Sequence, residues 1–143
     1  PAGDAGKGSQ TGRLSMKRMR GGGILIDDTY NASPESTRAA LQVLAERPES
    51  RKVFILGDLL ELGDDSEHLH REIGAEARKL GIGPVLACGK LASAAADDKY
   101  AHQQELIAAA GKLAGDDTVI LVKGSRGSHM EDVVQSLVMG DRQ

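Results

Sequence analysis

The feature that most constrains this chain is an aliphatic run that stops at two carboxylates. Ile24-Leu25-Ile26 leads directly into Asp27-Asp28, and a short polar turn then meets a helix start signal, Ser33-Pro34-Glu35. An apolar strand, a polar turn and a helix N-terminus in this order are typical of α/β proteins, where ligands bind outside the carboxyl ends of the strands. The segment therefore predicts a strand that ends at a polar site.

The same alternation of strand and helix continues along the chain. Apolar runs predict strands at 23–28, 52–56, 84–87 and 118–122, with weaker candidates at 13–20 and 99–101. Helical spacing predicts helices from residue 34 until Pro48, and at 66–80, 91–96, 103–113 and 129–138. Because the strands are apolar throughout, helices should cover both faces of the sheet. We predict an α/β, Rossmann-like, doubly wound and mostly parallel sheet of about five to six strands.

Composition limits the class of protein. The chain has 143 residues, enough for one core of ordinary size, and a net charge of −3 with acids and bases interspersed. This balance gives no reason to expect nucleic acid or membrane insertion. The one cysteine, Cys88, fits a reducing compartment, and we expect a cytoplasmic protein with a buried, inert thiol. Residues 1–12 are rich in Gly, Ser and charge, which predicts a linker before a domain at 13–143 cut from a longer protein.

Right-handed crossovers should bring several polar groups to one edge of the sheet. Asp27 and Asp28 would orient a ribose hydroxyl or a metal there, or else form a turn and cap a neighbouring element. Tyr30-Asn31 offers a ring face and an amide to a flat ligand, although backbone groups could equally satisfy both. The loop that contains Asp58 and Glu61 is either functional or an Asp-capped helical turn.

The segment after the last strand favours an anion. Lys123-Gly124-Ser125-Arg126 combines cations, a hydroxyl and glycine before a helix, which predicts a phosphate or carboxylate site. By contrast, Gly6-Lys7-Gly8-Ser9 lacks the spacing and the preceding strand of a phosphate loop. His70 is more often structural at such a helix position, and no cluster has convincing metal-ligand spacing. The chain therefore lacks the usual means of binding a triphosphate by itself.

Taken together, these segments resemble the C-terminal domain of the Mur ligases. The resemblance rests on the following motifs: Gly12-Arg13-Leu14, Leu25-Ile26-Asp27-Asp28-Thr29-Tyr30-Asn31-Ala32-Ser33-Pro34, Leu56-Gly57-Asp58-Leu59-Leu60-Glu61-Leu62-Gly63 with His70-Arg71-Glu72, and Val122-Lys123-Gly124-Ser125-Arg126 with Met130-Glu131. It is strongest for the type that adds D-Ala-D-Ala to UDP-N-acetylmuramoyl-tripeptide. The family often has Asn where this chain has Ser33, and both residues cap helices.

The resemblance implies a three-domain enzyme of peptidoglycan precursor synthesis. Its N-terminal domain binds the UDP-sugar peptide, its central domain carries the ATP phosphate loop and Mg²⁺, and the third domain closes over ATP and presents the dipeptide. The resemblance assigns contacts with ATP to Arg13, Asp28, Tyr30 and Asn31. It assigns contacts with the dipeptide to Asp58, Glu61, Lys123, Ser125 and Arg126. No catalytic residue is expected within this domain alone, and the isolated domain should be inactive.

Two other classes stay open at this point. A phosphoacceptor receiver domain also has paired acids after its first strand and a Lys after its last, but Asp58 follows the second clear strand here rather than the third. A dinucleotide-binding domain needs a glycine-rich turn after its first strand, and Asp27-Asp28-Thr29-Tyr30-Asn31 has none.

Overall fold

A computed structural model describes residues 14–30 and 32–138. The predicted linker at 1–12 and two candidate site residues, Arg13 and Asn31, lie outside the described residues. The strands are β1 (Ser15–Arg18), β2 (Ile24–Asp28), β3 (Arg51–Gly57), β4 (Val85–Cys88), β5 (Asp98–Tyr100) and β6 (Thr118–Lys123). The α-helices are α1 (Pro34–Ala45), α2 (Ser66–Lys79), α3 (Gln103–Leu113) and α4 (Glu131–Leu137).

The strands form one sheet in the order β1-β2-β6-β3-β4-β5. Strand β1 pairs antiparallel with β2, and the pairs from β2 to β5 are parallel. The prediction of a mostly parallel, Rossmann-like sheet is therefore confirmed, and the weak strand candidates at both ends of the sheet do form its edges.

Helices cover both faces of this sheet, as the apolar strands predicted. Ile26, Phe54 and Leu121 pack in one cluster with residues of α1 and α2. Their sequence neighbours, such as Leu25 and Ile55, pack in a second cluster with residues of α3 and α4. This division follows from the alternation of side chains along a strand. The sheet is therefore packed between two layers of helices, with one hydrophobic core on each face.

Helix α1 begins where the sequence indicated. The backbone N–H of Ser36 donates to Ser33 Oγ over 3.0 Å, and the backbone N–H of Ser33 donates to Ser36 Oγ over 2.9 Å. This reciprocal capping satisfies two N–H groups that a helix start leaves without partners, a contribution of about 1 kcal/mol. The cap fixes the direction in which the chain leaves the turn after β2.

Two of the predicted helices are shorter than expected. The predicted helix at 91–96 is a single 3-10 turn, Ala92–Ala95. The last helix begins at Glu131 rather than at residue 129, because a 3-10 turn at Arg126–Ser128 precedes it and His129 has a left-handed backbone with φ 58°. Within residues 14–30 and 32–138, no helix has the length and apolar character required to cross a membrane.

Candidate functional site

The carboxyl ends of the central strands meet at one edge, as the topology predicted. Asp28 at the end of β2 lies beside Lys123 at the end of β6. Lys123 in turn lies beside Leu56 of β3, and Gly57 lies beside Cys88 of β4. Polar residues that are far apart in the sequence are therefore neighbours across this edge.

Asp28 and Lys123 form a buried ion pair. Lys123 Nζ lies 2.7 Å from Asp28 Oδ2, and the side chain of Lys123 is 0% exposed while that of Asp28 is 11% exposed. A buried charge of this kind requires a partner, because desolvation of an ion is costly. Lys123 therefore contributes its charge to Asp28 from below the surface, and the Asp28 carboxylate is the member of the pair that retains some exposure.

The neighbouring Asp27 forms the turn that was one of its two predicted roles. Its Oδ1 accepts hydrogen bonds from the backbone N–H of Thr29 at 3.2 Å and from Thr29 Oγ1 at 2.7 Å. Lys17 Nζ lies 3.8 Å from Asp27 Oδ2. These contacts hold the chain in a tight bend after β2. Asp27 shapes the turn, and Asp28 is the acid at the edge.

Tyr30 and Arg126 meet above the edge. Tyr30 is 41% exposed, and the guanidinium carbon of Arg126 lies 5.5 Å from the centroid of the Tyr30 ring. A guanidinium at this distance from an aromatic face forms a cation–π contact. The pair joins the turn after β2 to the loop after β6 and presents a ring and a cation to solvent.

The loops after β3 and β6 are joined through Ser125. The backbone N–H of Ser125 donates to the carbonyl of Asp58 over 3.0 Å, and the backbone N–H of Leu60 donates to Ser125 Oγ over 2.8 Å. Glu61, in the same loop, is exposed and has a left-handed backbone with φ 64°. The two loops therefore form one unit, in which Ser125 is bonded to Asp58 and to Leu60, the residue that precedes Glu61.

The side chain of Asp58 does form a cap, but the turn that it caps follows β4 and is not part of its own loop, as the sequence alternative had it. Its Oδ1 accepts the backbone N–H of Leu91 at 3.0 Å and that of Ala92 at 2.7 Å. The carboxylate thus caps the 3-10 turn that follows β4. Gly89 lies against the Asp58 carboxylate with φ 136°, so a side chain at this position would collide with it.

His70 is structural, as its position on α2 suggested. It is completely buried, and its Nε2 accepts the backbone N–H of Leu59 at 2.9 Å. The other ring nitrogen, Nδ1, then carries the proton and donates to the carbonyl of Ser66 over 2.6 Å. His70 therefore anchors the start of the loop that carries Asp58 and Glu61.

Close packing of glycines brings the two loops together. A Cβ atom on Gly57 would lie 2.5 Å from Met130 Cγ, and one on Gly124 would lie 2.6 Å from Ser128 Oγ. Only glycine allows so close an approach of the backbone to these side chains.

Cys88, at the end of β4, is half-buried rather than fully buried as the sequence predicted. Burial, and then the negative charges of Asp58 and Glu105, raise the pKa of its thiol, which agrees with the inert character expected from the sequence.

The edge thus combines an acid backed by a buried lysine, an exposed aromatic ring and guanidinium, and a rigid pair of loops. Sequence reasoning found these residues, but it missed which ones are bonded to one another. No group of three or more His, Cys, Asp or Glu residues within the described part of the chain is placed to hold a metal ion. The described part of this edge therefore presents polar and aromatic groups without a cluster of metal ligands.

A Rossmann-like domain with polar groups at the carboxyl edge of its sheet belongs to the class of α/β domains that bind ligands at that edge. A family model for the Mur ligase, glutamate ligase domain matches residues 12–126, and the chain belongs to this family. This family match decides against the receiver domain and the dinucleotide-binding domain, the two classes that the sequence left open.

Two curated relatives of this chain are ligases with the same name. It is 41% identical over 133 residues to the UDP-N-acetylmuramoyl-tripeptide--D-alanyl-D-alanine ligase of Escherichia coli, covering 88% of this chain and 29% of that protein. The Bacillus subtilis ligase of the same name is 37% identical over 139 residues, covering 88% and 30%. The chain therefore spans about 30% of the length of these curated relatives.

Solved structures agree with this assignment. A MurF ligase from Thermotoga maritima in complex with ADP matches with a TM-score of 0.79 and 25% identity, over 89% of this chain and 30% of that one. A MurF structure from Acinetobacter baumannii matches with a TM-score of 0.76 and 35% identity, over 88% of this chain and 29% of that one.

Proposed function

We propose that this chain is the C-terminal part of an ATP-dependent ligase that joins D-Ala-D-Ala to UDP-N-acetylmuramoyl-tripeptide in the cytoplasm. The observation that carries the proposal is similarity to ligases of this name over 88% of the chain. The geometry adds support, because the site edge has groups that bind polar ligands but has no phosphate loop within the described residues. Such an edge is half of a cleft whose other half belongs to another domain.

The roles proposed toward ATP belong to the turn after β2. Asp28 is the acceptor for a ribose hydroxyl, and the exposed ring of Tyr30 offers a flat surface to a base. The sequence resemblance adds Arg13 for the phosphates and Asn31 for the nucleotide. We place Mg²⁺ on the central domain, where the phosphates would lie, because the described residues of this chain provide no cluster of ligands for it.

The roles proposed toward the dipeptide belong to the joined loops. Glu61 and Arg126 are exposed and can contact a charged ligand directly, and Ser125 is half-buried beside them. The contacts of Lys123 and Asp58 favour indirect roles, since Lys123 is buried against Asp28 and Asp58 caps the turn after β4. In our proposal these two residues position the groups that touch substrate.

The reaction requires that water be excluded. The peptide carboxylate takes the terminal phosphoryl group of ATP, ADP leaves, and an acyl phosphate results. The amine of the dipeptide then attacks the acyl carbon, phosphate leaves, and the amide forms with loss of a proton from nitrogen. An acyl phosphate that is open to solvent hydrolyses, so closure of this domain over the cleft protects it.

A domain exchange tests the proposal. The matching C-terminal 29% of the Escherichia coli ligase would be replaced by this chain, and ATP-dependent formation of the pentapeptide product would be measured. We expect ligation by this chimera and none by the Escherichia coli protein that lacks its C-terminal part. A folded chimera that binds the UDP-linked substrate and ATP but makes no product would contradict the proposal.

A further inference from the structure

One cleft on the described surface is lined by residues to which no ligand-binding role has been assigned so far. It has a volume of about 360 Å³ and lies at the carboxyl ends of β4 and β5. Cavities near 300 Å³ are at the lower end of the range for small-molecule sites, so a small ligand fits. The residues that line it are Gly89, Lys90, Ser93, Lys99, Tyr100 and Ala101.

The lining favours an anion with a small apolar part. Two of the six residues are lysines, both exposed, and none of the six is acidic. Burial, together with the negative charge of Asp98, raises the pKa of the Tyr100 phenol, which remains a hydrogen-bond donor at neutral pH. Ala101 and the Tyr100 ring supply apolar surface. Ammonium and phenol donors recognise a carboxylate through charge-assisted hydrogen bonds.

The loop that carries Lys90 is held in one conformation. The Asp58 carboxylate accepts the backbone N–H groups of Leu91 and Ala92, and Ser93 Oγ donates to the carbonyl of Gly89 over 2.7 Å. These bonds lie on both sides of Lys90. The lysine is therefore presented by a preformed loop, which lowers the entropic cost of binding a ligand.

The distance from the cleft to the end of β3 is about the length of a dipeptide. Neighbouring strands are about 4.8 Å apart, so the space between β4 and β5 lies about 7 Å from β3. An extended dipeptide spans about 7 Å. A dipeptide with its carboxylate between β4 and β5 thus places its amine over the end of β3, where the loop with Glu61 begins.

We propose that this cleft receives the carboxylate of the incoming dipeptide and that Lys90 and Lys99 bind it, with Glu61 near the amine. The inference rests on the proposed function. It gives the dipeptide carboxylate two exposed cations. Of the two cations first predicted for the dipeptide, Lys123 is buried against Asp28 and Arg126 lies over the ring of Tyr30. Asp58 then acts as a positioning residue for the loop that carries Lys90.

The test uses the active chimera and two dipeptides, D-Ala-D-Ala and the same dipeptide with its carboxylate converted to an amide. Lys90→Ala and Lys99→Ala should each raise KM for D-Ala-D-Ala about tenfold or more, since a hydrogen bond to a charged group contributes about 1.5 kcal/mol or more. KM for ATP should not change. The parent chimera should prefer the carboxylate form, and the double variant should have lost that preference.

Lys79→Ala and Lys112→Ala are the matched controls, because both lysines are exposed and neither lines the cleft. They should leave KM for both dipeptides unchanged. An active chimera whose double variant still prefers the carboxylate overturns this inference and leaves the proposed function intact. A change in KM for ATP alone would also overturn it, since the cleft would then serve the nucleotide. A folded parent chimera without ligation would instead refute the proposed function.

Discussion

At the scale of single residues, the ion pair of Lys123 with Asp28 determines much of the stability of the site edge. Both side chains are largely removed from water, so each charge depends on the other. We predict that Lys123→Met lowers the free energy of unfolding by about 3 kcal/mol or more, because it leaves the Asp28 carboxylate buried without its cation. Urea unfolding of the 143-residue chain measures this change.

The matched control for this prediction is Lys79→Met, which removes a lysine that is exposed at the end of α2. Its effect should stay within about 0.5 kcal/mol. The double variant Lys123→Met with Asp28→Asn should recover part of the loss, because an amide is cheaper to bury than an unpaired carboxylate. A loss below about 1 kcal/mol in Lys123→Met would show that the pair contributes little, as exposed pairs do.

Asn31 carries a prediction about binding rather than stability. A side-chain amide can donate and accept at once, which suits the edge of a flat ligand such as a nucleotide base. We expect Asn31→Ala in the chimera to lower kcat/KM for ATP by about tenfold or more, the effect of losing a well-placed hydrogen bond, without a change in melting temperature. Gln42→Ala on the exposed side of α1 is the control amide. Equal kinetics for both variants would remove Asn31 from the site.

At the scale of elements, the site depends on how the loop after β3 is anchored to α2. His70 is buried and forms one hydrogen bond to this loop and one within its own helix. We predict that His70→Ala lowers the free energy of unfolding by about 2–4 kcal/mol, since it creates a cavity and leaves the Leu59 N–H without a partner. Amide hydrogen exchange at Leu59 should become faster than exchange in β3.

His68 provides the control on the same helix. It is 65% exposed and lies beside Glu72 on the surface. His68→Ala should therefore leave both the unfolding free energy and the exchange rate of Leu59 nearly unchanged. Similar effects of the two substitutions would mean that helix propensity at α2, rather than the anchor, accounts for the loss.

The elements themselves were largely predictable, whereas the bonds between them were not. Strand and helix positions follow from local patterns, such as the cap at Ser33 and the apolar run of β3. The ion pair of Asp28 with Lys123 joins residues 95 positions apart, and no local pattern encodes it. The late start of α4 was missed because the left-handed turn at His129 carries no glycine.

At the scale of the whole molecule, the chain is a folded unit that we propose to form one side of a binding cleft. Its sheet is covered on both faces, so the fold does not need another domain for its core. Apart from Arg13, the residues proposed to contact ATP belong to one turn, and a turn with an acid and an aromatic ring does not hold a triphosphate. We therefore expect that this chain folds by itself but does not catalyse the reaction by itself.

That expectation gives the last prediction. The 143-residue chain alone, with ATP, Mg²⁺, the UDP-linked tripeptide and D-Ala-D-Ala, should release no phosphate above the rate without protein, and its circular dichroism spectrum should be that of a folded α/β domain. The physical reason is that the acyl phosphate requires a phosphate loop to orient ATP and a second wall to exclude water. The active chimera, assayed at the same concentration, is the positive control. Turnover by the chain alone would mean that the site edge is complete, and the two-domain cleft would have to be abandoned.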